Sequence, residues 1–363
     1  MSDAVLWQRR AVLSSLRENN NFDTRLEASG VSLRPFKFMK YASRLNSFAS
    51  CPERCWQNPT YKPNTLELIE RASQVRGLSA IDLNFPDHFN NVKSEEIISF
   101  ARDRGLTING IAMRYYSDPG FKLGAFTHPE SRVRQAAIEL TKNAMDVLEK
   151  TDADLLTIWL GQDGWEYPFH VDYETIWEAE IEAIREVSDH NPRINVSIEY
   201  KPSEPRAFSL LSDLAMTLLA IKKVDRPNLG VTLDFAHVLY AGESPAFAAA
   251  MILRESHLLG IHLNDGYGRR DDGLMVGAVN MVQTLELLFQ IIRKGFDGVI
   301  YFDTFPDVTG LDPVQECENN IAMVNVLWGV AKRLTNQTDL LEAINRQDAV
   351  VSQDLIRRAL FGA

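Results

Sequence analysis

The repeated alternation of short apolar runs with longer amphipathic runs is the feature of this sequence that most constrains its fold. The short runs are rich in β-branched residues and are bounded by turn residues, which is typical of buried strands. The longer runs, such as RVRQAAIELTKNAMDVLEK, have the apolar spacing of helices. Alternation of the two indicates βα units, in which helices connect the strands of a parallel sheet.

Candidate strands occur at eight places in the sequence. They span residues 38–48, 79–84, 107–113, 154–160, 194–200, 229–235, 258–264 and 297–303. Eight such units predict a (β/α)8 TIM barrel rather than an open sheet. We assign the barrel to residues 33–330, an N-terminal helical extension to residues 1–32 and a C-terminal helical tail to residues 331–363. The tail either wraps a neighbouring subunit or packs on its own barrel.

The charge of the chain disfavours nucleic acid as a partner. The 38 basic and 49 acidic side chains give a net charge of −11, and no run of lysine and arginine offsets it. A surface of this kind repels a phosphate backbone. We therefore expect no nucleic-acid partner.

Cysteine content and the N-terminal segment indicate the compartment. The three cysteines, Cys51, Cys55 and Cys317, are too few for a disulfide scaffold and favour a reducing compartment. Cys51 and Cys55 lack a second pair of ligands at zinc-site spacing, so we interpret them as structural or incidental. The N-terminal segment lacks a signal-peptide core, and no apolar stretch is long enough to span a bilayer. We expect a cytoplasmic protein without membrane contact.

Polar residues occur at the ends of the last four predicted strands, where a strand interior would disfavour them. They are Glu199, Asp234, His262 and Asp303. In a parallel barrel the C-terminal ends of the strands meet on one face, and the active sites of TIM barrels lie there. We therefore expect these four side chains around one opening.

The chemistry of this set indicates a metal. Three carboxylates in a partly desolvated opening repel one another, and a bound dication removes that cost. Carboxylate oxygens with one imidazole suit Mn²⁺, Mg²⁺ or Co²⁺ and leave coordination positions open for a substrate. The alternative is that each acidic residue only caps the following helix. Four polar residues on consecutive strands favour the shared metal.

Three segments resemble the xylose isomerase family. Residues 199–206, EYKPSEPR, resemble its E-x-K-P-x-E-P signature. Residues 119–127, PGFKLGAFT, resemble its PVFKDGAFT segment, and residues 157–164, TIWLGQDG, resemble the segment that carries its active-site tryptophan. These motifs keep the order of the family within roughly residues 105–330. The resemblance implies a TIM barrel that acts on a sugar with the help of a divalent metal.

The resemblance also implies ligands for one metal. Glu199, Asp234 and Asp303 match ligands of the family's structural metal. His262 falls where xylose isomerases have Asp and where the related rhamnose isomerases and ketose 3-epimerases have His. Xylose isomerases carry a ring-opening His near the second strand, and His88 is not in register with it. A relative that acts on another sugar is therefore favoured over a strict xylose isomerase.

A second, catalytic metal site is implied less completely. His237 and Asp271 match two of its ligands in the family. Gly273 falls at the position of a third carboxylate ligand. We therefore predict His237 and Asp271 as an incomplete second metal site.

Further residues match substrate-contacting positions of the family. Lys201 matches the lysine that hydrogen-bonds the developing oxyanion, and an ion pair with Glu204 or another carboxylate is the alternative. Trp159 is predicted as an apolar wall for a sugar face, or else as a core tryptophan. Asn264 and Asp265 are predicted to orient His262 or to touch the substrate. The predicted catalytic residues are Lys201, His237, Glu199 and Asp303.

Three related reactions are consistent with these motifs. The leading hypothesis is an aldose–ketose isomerase that moves hydrogen between C1 and C2 of an open-chain sugar. A sugar 3-epimerase would use an enediolate, with carboxylate bases on opposite faces. A lyase or dehydratase on a keto-sugar is the third, since some xylose isomerase-like barrels cleave the C-glycosidic bond of 3-keto glycosides together with a small partner subunit. The resemblance also implies a homo-oligomer, either a dimer or a tetramer.

Two other classes of protein are disfavoured. A phosphodiesterase of the endonuclease IV type needs a His-rich cluster of three metals and a basic surface for DNA. Seven histidines and a net charge of −11 argue against it. A binding role without catalysis is the remaining alternative.

Overall fold

The structure is a computed structural model that describes residues 39–50 and 62–362. The predicted extension over residues 1–32 lies outside the described residues, as do Cys51 and Cys55. Cys317 is a buried free thiol.

Eight parallel strands close into a barrel, which confirms the predicted fold class. They are β1 (Tyr41–Arg44), β2 (Ala80–Phe85), β3 (Thr107–Met113), β4 (Leu155–Ile158), β6 (Asn195–Glu199), β8 (Leu229–Asp234), β9 (Leu258–Leu263) and β10 (Ile300–Phe302). Neighbours in the ring follow chain order, and β1 pairs with β10 to close it. The short strands β5 (Gly164–Trp165) and β7 (Phe208–Ser209) form a separate antiparallel pair.

Helices connect the barrel strands and turn their apolar faces inward. In the described part of the chain they are α1 (Thr65–Ala72), α2 (Ser94–Asp103), α3 (Ser131–Leu148), α4 (Tyr173–His190), α5 (Leu214–Val224), α6 (Phe235–Tyr240), α7 (Pro245–Glu255), α8 (Met281–Arg293), α9 (Pro306–Thr309), α10 (Pro313–Leu334), α11 (Thr338–Asn345) and α12 (Ala349–Phe361). Because helices cover the sheet, the strands are buried on both faces, and every residue of β8 is buried.

The ends of three strands differ from the prediction. The run 38–48 was predicted as one strand, which is wrong, because β1 ends at Arg44 and residues Leu45–Ala49 form a 3-10 helix. Leu45 and Phe48 are both buried and lie three residues apart, so their apolar pattern has the period of a helix rather than of a strand. The predicted strands 154–160 and 297–303 are likewise shorter, at Leu155–Ile158 and Ile300–Phe302. Asp303 therefore lies in the loop that follows β10.

The C-terminal part of the described chain is helical. Helix α10 runs without a break across residue 330, so the predicted boundary between barrel and tail falls inside a helix. Its buried face includes Val324, Leu327 and Leu334. The helices α11 and α12 follow, and α12 has no buried residue. The division of the chain at residue 330 stays a prediction.

No helix within residues 39–50 and 62–362 has the length and the apolar character needed to cross a membrane.

A core substitution tests the barrel. Leu156 in β4 is completely buried, so Leu156→Ala should lower the free energy of unfolding by about 2–5 kcal/mol through lost burial and a residual cavity. Leu219 in α5 is 46% exposed, and Leu219→Ala should cost less than about 1 kcal/mol. Urea denaturation of the two variants measures both values. Equal losses would show that Leu156 does not lie in a packed core.

Candidate metal centre

The four predicted ligands come together at the C-terminal mouth of the barrel. Glu199 ends β6, Asp234 ends β8, His262 lies in β9 and Asp303 follows β10. These four strands are consecutive in the ring, and Asp234 lies opposite His262 in the pairing of β8 with β9. Each residue offers one ligand atom, and the four atoms lie within 4.8 Å of one another. All four side chains are buried.

Hydrogen bonds hold the cluster in place. His262 Nδ1 lies 3.1 Å from Glu199 Oε1. Asn264 Nδ2 donates to both carboxylate oxygens of Asp234, at 3.2 and 3.0 Å, and to the Asp303 carbonyl at 3.1 Å. The His237 amide donates to Asp234 Oδ1 at 2.9 Å, so Asp234 also caps α6. The alternative interpretation of a strand-end acid as a helix cap therefore applies to Asp234 as well.

Asn264 and Asp265 are completely buried, so their arrangement favours a supporting role over the predicted contact with substrate. Asn264 orients Asp234 rather than His262. Asp265 accepts hydrogen bonds from the amides of Gly266, Val279 and Asn280 and from the Asn280 side chain. It thereby fixes both ends of the loop over residues 266–280, which carries Asp271.

The electrostatics of the cluster fit a cation. Burial raises the pKa of Asp234 and of Asp303. Burial would lower the pKa of His262, but Glu199 raises it to about 9. Asp303 Oδ1 is buried and has no hydrogen-bond partner among the described residues. Protons in the cluster reduce the repulsion among the carboxylates, and a divalent cation would displace those protons. Three carboxylates and one imidazole have the donor set that such a cation requires.

The residues predicted for a second metal are paired with other side chains. Asp271 Oδ2 lies 3.1 Å from His237 Nε2 and 3.1 Å from Lys201 Nζ. Gly273 has a φ of +56°, and a Cβ there would lie 2.3 Å from the ring of Phe305. Among the described residues, His237 and Asp271 belong to no group of three or more candidate ligands. The second metal site stays a prediction.

Lys201 and Trp159 lie beside the cluster. Lys201 Nζ forms ion pairs with Glu204 Oε2 at 2.8 Å and Asp271 Oδ2 at 3.1 Å, as the alternative interpretation expected. The same atom lies 5.1 Å from the centre of the Trp159 indole. A Cβ on Gly161 would lie 2.5 Å from Trp159, so only glycine allows the indole to pack there. Lys201 and Trp159 both line a cavity of about 140 Å³ that Glu199 and Asp303 also line.

Two arginines in this cavity were missed by the sequence analysis. Arg44 ends β1, and its Nη1 donates to Asp307 at 2.7 Å while its Nε lies 3.6 Å from Asp303 Oδ1. Arg114 follows β3, and its Nε is buried without a hydrogen-bond partner among the described residues. The rule that located the four ligands applies to both positions. Arg44 was hidden because the first strand was predicted to continue beyond it.

His88 and Asp82 are buried near the second strand. His88 Nδ1 accepts a hydrogen bond from the Asn84 amide at 2.9 Å, and burial lowers its pKa to about 3. His88 therefore stabilises the turn after β2 as a neutral acceptor.

Asp82 in β2 accepts a hydrogen bond from the Asn109 side chain at 2.7 Å, and burial raises the pKa of Asp82 to about 6. Asp82 was also missed, because it lies inside a strand rather than at its end.

Comparison with known proteins identifies the family. The model of the family described as xylose isomerase-like TIM barrel matches residues 69–324. The chain belongs to this family. A xylose isomerase from Thermus thermophilus is 30% identical over 207 residues, which are 55% of this chain and 54% of that protein. A xylose isomerase from Thermus caldophilus is 28% identical over the same length. The chain thus spans about half the length of the curated relatives that it matches.

Solved structures of sugar epimerases share the fold of this xylose isomerase-like barrel. A D-tagatose 3-epimerase-like protein matches with a TM-score of 0.62 and 18% identity over 80% of this chain and 98% of its own. A D-allulose 3-epimerase from Methylomonas sp. matches with a TM-score of 0.61 and 13% identity over 80% of this chain and 97% of its own. At these sequence identities the comparison shows a shared fold and nothing more.

The role of Asn264 can be tested through metal affinity. Asn264→Leu removes the donor to Asp234, and we expect it to weaken Mn²⁺ binding about 10- to 100-fold. Asn228→Leu is the matched control, because Asn228 is a buried asparagine that precedes β8 and whose side-chain amide donates to the carbonyls of Ser188 and Ile194. Calorimetric titration with Mn²⁺ measures both variants. Equal affinities in the two variants would contradict an orienting role for Asn264.

Proposed function

We propose that the protein is a divalent-metal-dependent sugar isomerase that interconverts an aldose and a ketose. The observation that carries this proposal is the buried cluster of three carboxylates and one imidazole, which opens into a cavity beside Lys201. The xylose isomerase relatives support it, because the motif around Glu199 and Lys201 resembles theirs. The sugar substrate is part of the proposal. So are a homo-oligomer and a cytoplasmic location, whereas a small partner subunit would accompany the alternative lyase.

Four residues would hold the cation, namely Glu199, Asp234, His262 and Asp303. Their oxygen-rich set suits Mn²⁺, Mg²⁺ or Co²⁺. When bound, such a cation supplies Lewis-acid polarisation of a carbonyl and of the neighbouring hydroxyl.

Lys201 would stabilise negative charge on a substrate oxygen. Burial opposes its charged form, but Asp271 and Glu204 raise the pKa of Lys201. Its ammonium group is therefore protonated at neutral pH and lies in the wall of the cavity. From there Nζ can donate a hydrogen bond to a developing oxyanion, which is worth most in a water-poor site.

His237 would move a proton during ring opening. Burial would lower the pKa of His237, but Asp234 and Asp271 raise it to about 9. Its ring lines the cavity, and Nε2 lies 3.1 Å from Asp271 Oδ2. Protonated Nε2 is therefore a candidate acid for a sugar ring oxygen, and Asp271 holds it in orientation. Trp159, Tyr116 and Phe305 line the same cavity and limit the access of water.

A sugar 3-epimerase is the second candidate. Glu199 and Asp303 both line the cavity, and Asp303 Oδ1 has no hydrogen-bond partner among the described residues. Two carboxylates beside one substrate are the groups that remove a proton from one face and return it to the other. The two candidates use the same residues, so the fate of the transferred hydrogen separates them.

Loss of one ligand tests the metal dependence. Glu199→Gln keeps the size of the side chain but removes its charge, and we expect turnover of sugars to fall at least about 100-fold. Chelation of the unmodified protein should abolish turnover, and Mn²⁺, Mg²⁺ or Co²⁺ should restore it. The control is Glu178→Gln, an exposed residue of α4. The measurement is product formation from a panel of aldoses. Full activity in a chelator or in Glu199→Gln would exclude the proposal.

Reaction in heavy water tests the choice between the two candidates. A hydride shift between C1 and C2, as the resemblance to xylose isomerases implies, carries hydrogen directly, so we expect no solvent deuterium at these carbons. An enediolate exchanges its proton with solvent. Proton NMR of the product measures the incorporation. Deuterium at C3 with inversion there would replace the isomerase by the 3-epimerase.

A further inference from the structure

A second and larger cavity adjoins the one above the candidate metal centre. Its volume is about 520 Å³, and Tyr116 and Trp159 line both cavities. Glu204 lines the larger cavity and forms an ion pair with Lys201, which lines the smaller one. We call these the outer and inner cavities. A ligand bound above the four metal-ligand residues therefore has room to extend past Trp159.

The wall of the outer cavity contains polar atoms without partners. Trp159 Nε1, Gln162 Oε1 and Arg206 Nε are buried and have no hydrogen-bond partner among the described residues. Gln162 is 3% exposed and Arg206 is 7% exposed. Such atoms are rare, because a buried polar group without a hydrogen bond destabilises the folded protein. Two donors and one acceptor in one wall indicate a polar ligand at this place.

Arg206 is held in place through two of its three nitrogens. Its Nη1 donates to both carboxylate oxygens of Glu166, at 3.0 and 2.8 Å. Its Nη2 donates to the Gly164 carbonyl at 3.1 Å. With the positive charge paired to Glu166, the remaining Nε is suited to a neutral hydroxyl rather than to an anion.

The other lining residues offer apolar surface. Trp159 and Tyr116 pack edge to face with ring centres 5.3 Å apart, and Pro119 and Pro205 line the same cavity. Aromatic rings beside a few polar groups suit a flat ring that carries hydroxyl groups at its edge. A sugar ring and a hydroxylated aryl ring share this chemistry.

We propose that the substrate has two rings: the reacting sugar fills the inner cavity, and a second ring linked to it fills the outer cavity. The second ring, a sugar linked through a position other than C1 of the reacting sugar, packs on Trp159 and bonds Gln162 and Arg206. The assignment of the inner cavity to the reacting sugar rests on the proposed function. The second ring adds contacts that no monosaccharide makes.

Binding measurements on matched ligands test this inference. Calorimetry with the full-length, Mn²⁺-loaded protein compares D-xylose with xylobiose and phenyl β-D-xyloside, and D-glucose with cellobiose and phenyl β-D-glucoside. We expect the Kd of xylobiose or cellobiose to be about tenfold below that of its monosaccharide. A phenyl glycoside as the only tighter ligand overturns the inference, because its substituted C1 cannot open to a carbonyl. Affinities no better than those of the monosaccharides, absence of binding included, overturn the inference.

A substitution in the outer cavity tests whether the second ring binds there. Gln162→Met keeps the side-chain volume and removes the acceptor, so the preference for two rings over one should fall about threefold to tenfold. Gln135→Met, at an exposed glutamine of α3, should keep the full preference. Melting temperatures confirm that both variants fold. An unchanged preference in Gln162→Met would place the second ring elsewhere and overturn the inference.

These results are independent of turnover. A preference for two rings in a protein that converts no sugar would retain the outer cavity and reject the isomerase. Metal-dependent conversion of sugars without a preference for two rings would retain the isomerase and reject the assignment of the outer cavity.

Discussion

Repulsion among buried carboxylates at the mouth of the barrel is the constraint on which the rest of this site depends. Two like charges about 4 Å apart repel by about 4 kcal/mol at an effective dielectric constant of about 20. Glu199, Asp234 and Asp303 lie within such distances and are buried together. They persist there only because something positive, whether protons or a cation, is bound among them. The barrel supplies the stability that keeps them together.

The surrounding residues offset or direct this negative charge. Arg44 lies beside Asp303, and Lys201 and His237 lie on either side of Asp271. Asn264 uses its amide to hold Asp234, so the carboxylate keeps one orientation. Positive groups thus surround the carboxylates while the cavity above them stays open to a ligand. This is the arrangement expected of a site where charge changes during a reaction.

The sequence was sufficient for the fold and for the convergence of the four predicted ligands, because both follow from local patterns. Alternation of strand and helix runs gives the barrel, and a polar residue at a strand end must face the mouth. The sequence did not predict Arg44 as a residue of the site, because the apolar spacing of Leu45 and Phe48 concealed the end of β1. Nor did it assign Asn264 to Asp234, since that contact joins neighbouring strands at a particular register. Local sequence patterns thus predict where a residue lies along a strand, whereas its hydrogen-bond partners depend on how the strands pack together.

Packing also decides what the second metal position can hold. At Gly273 any side chain would clash with Phe305 and would need the left-handed backbone conformation, so the third carboxylate is excluded by the loop itself. Asp271 remains, but its Oδ2 is shared by Lys201 and His237. Two positive groups already balance that carboxylate. Its other oxygen, Oδ1, has no hydrogen-bond partner among the described residues, so a cation at Oδ1 would not displace Lys201. Lys201 thus places a positive charge beside Asp271, at the position where the resemblance to xylose isomerases implies a second metal.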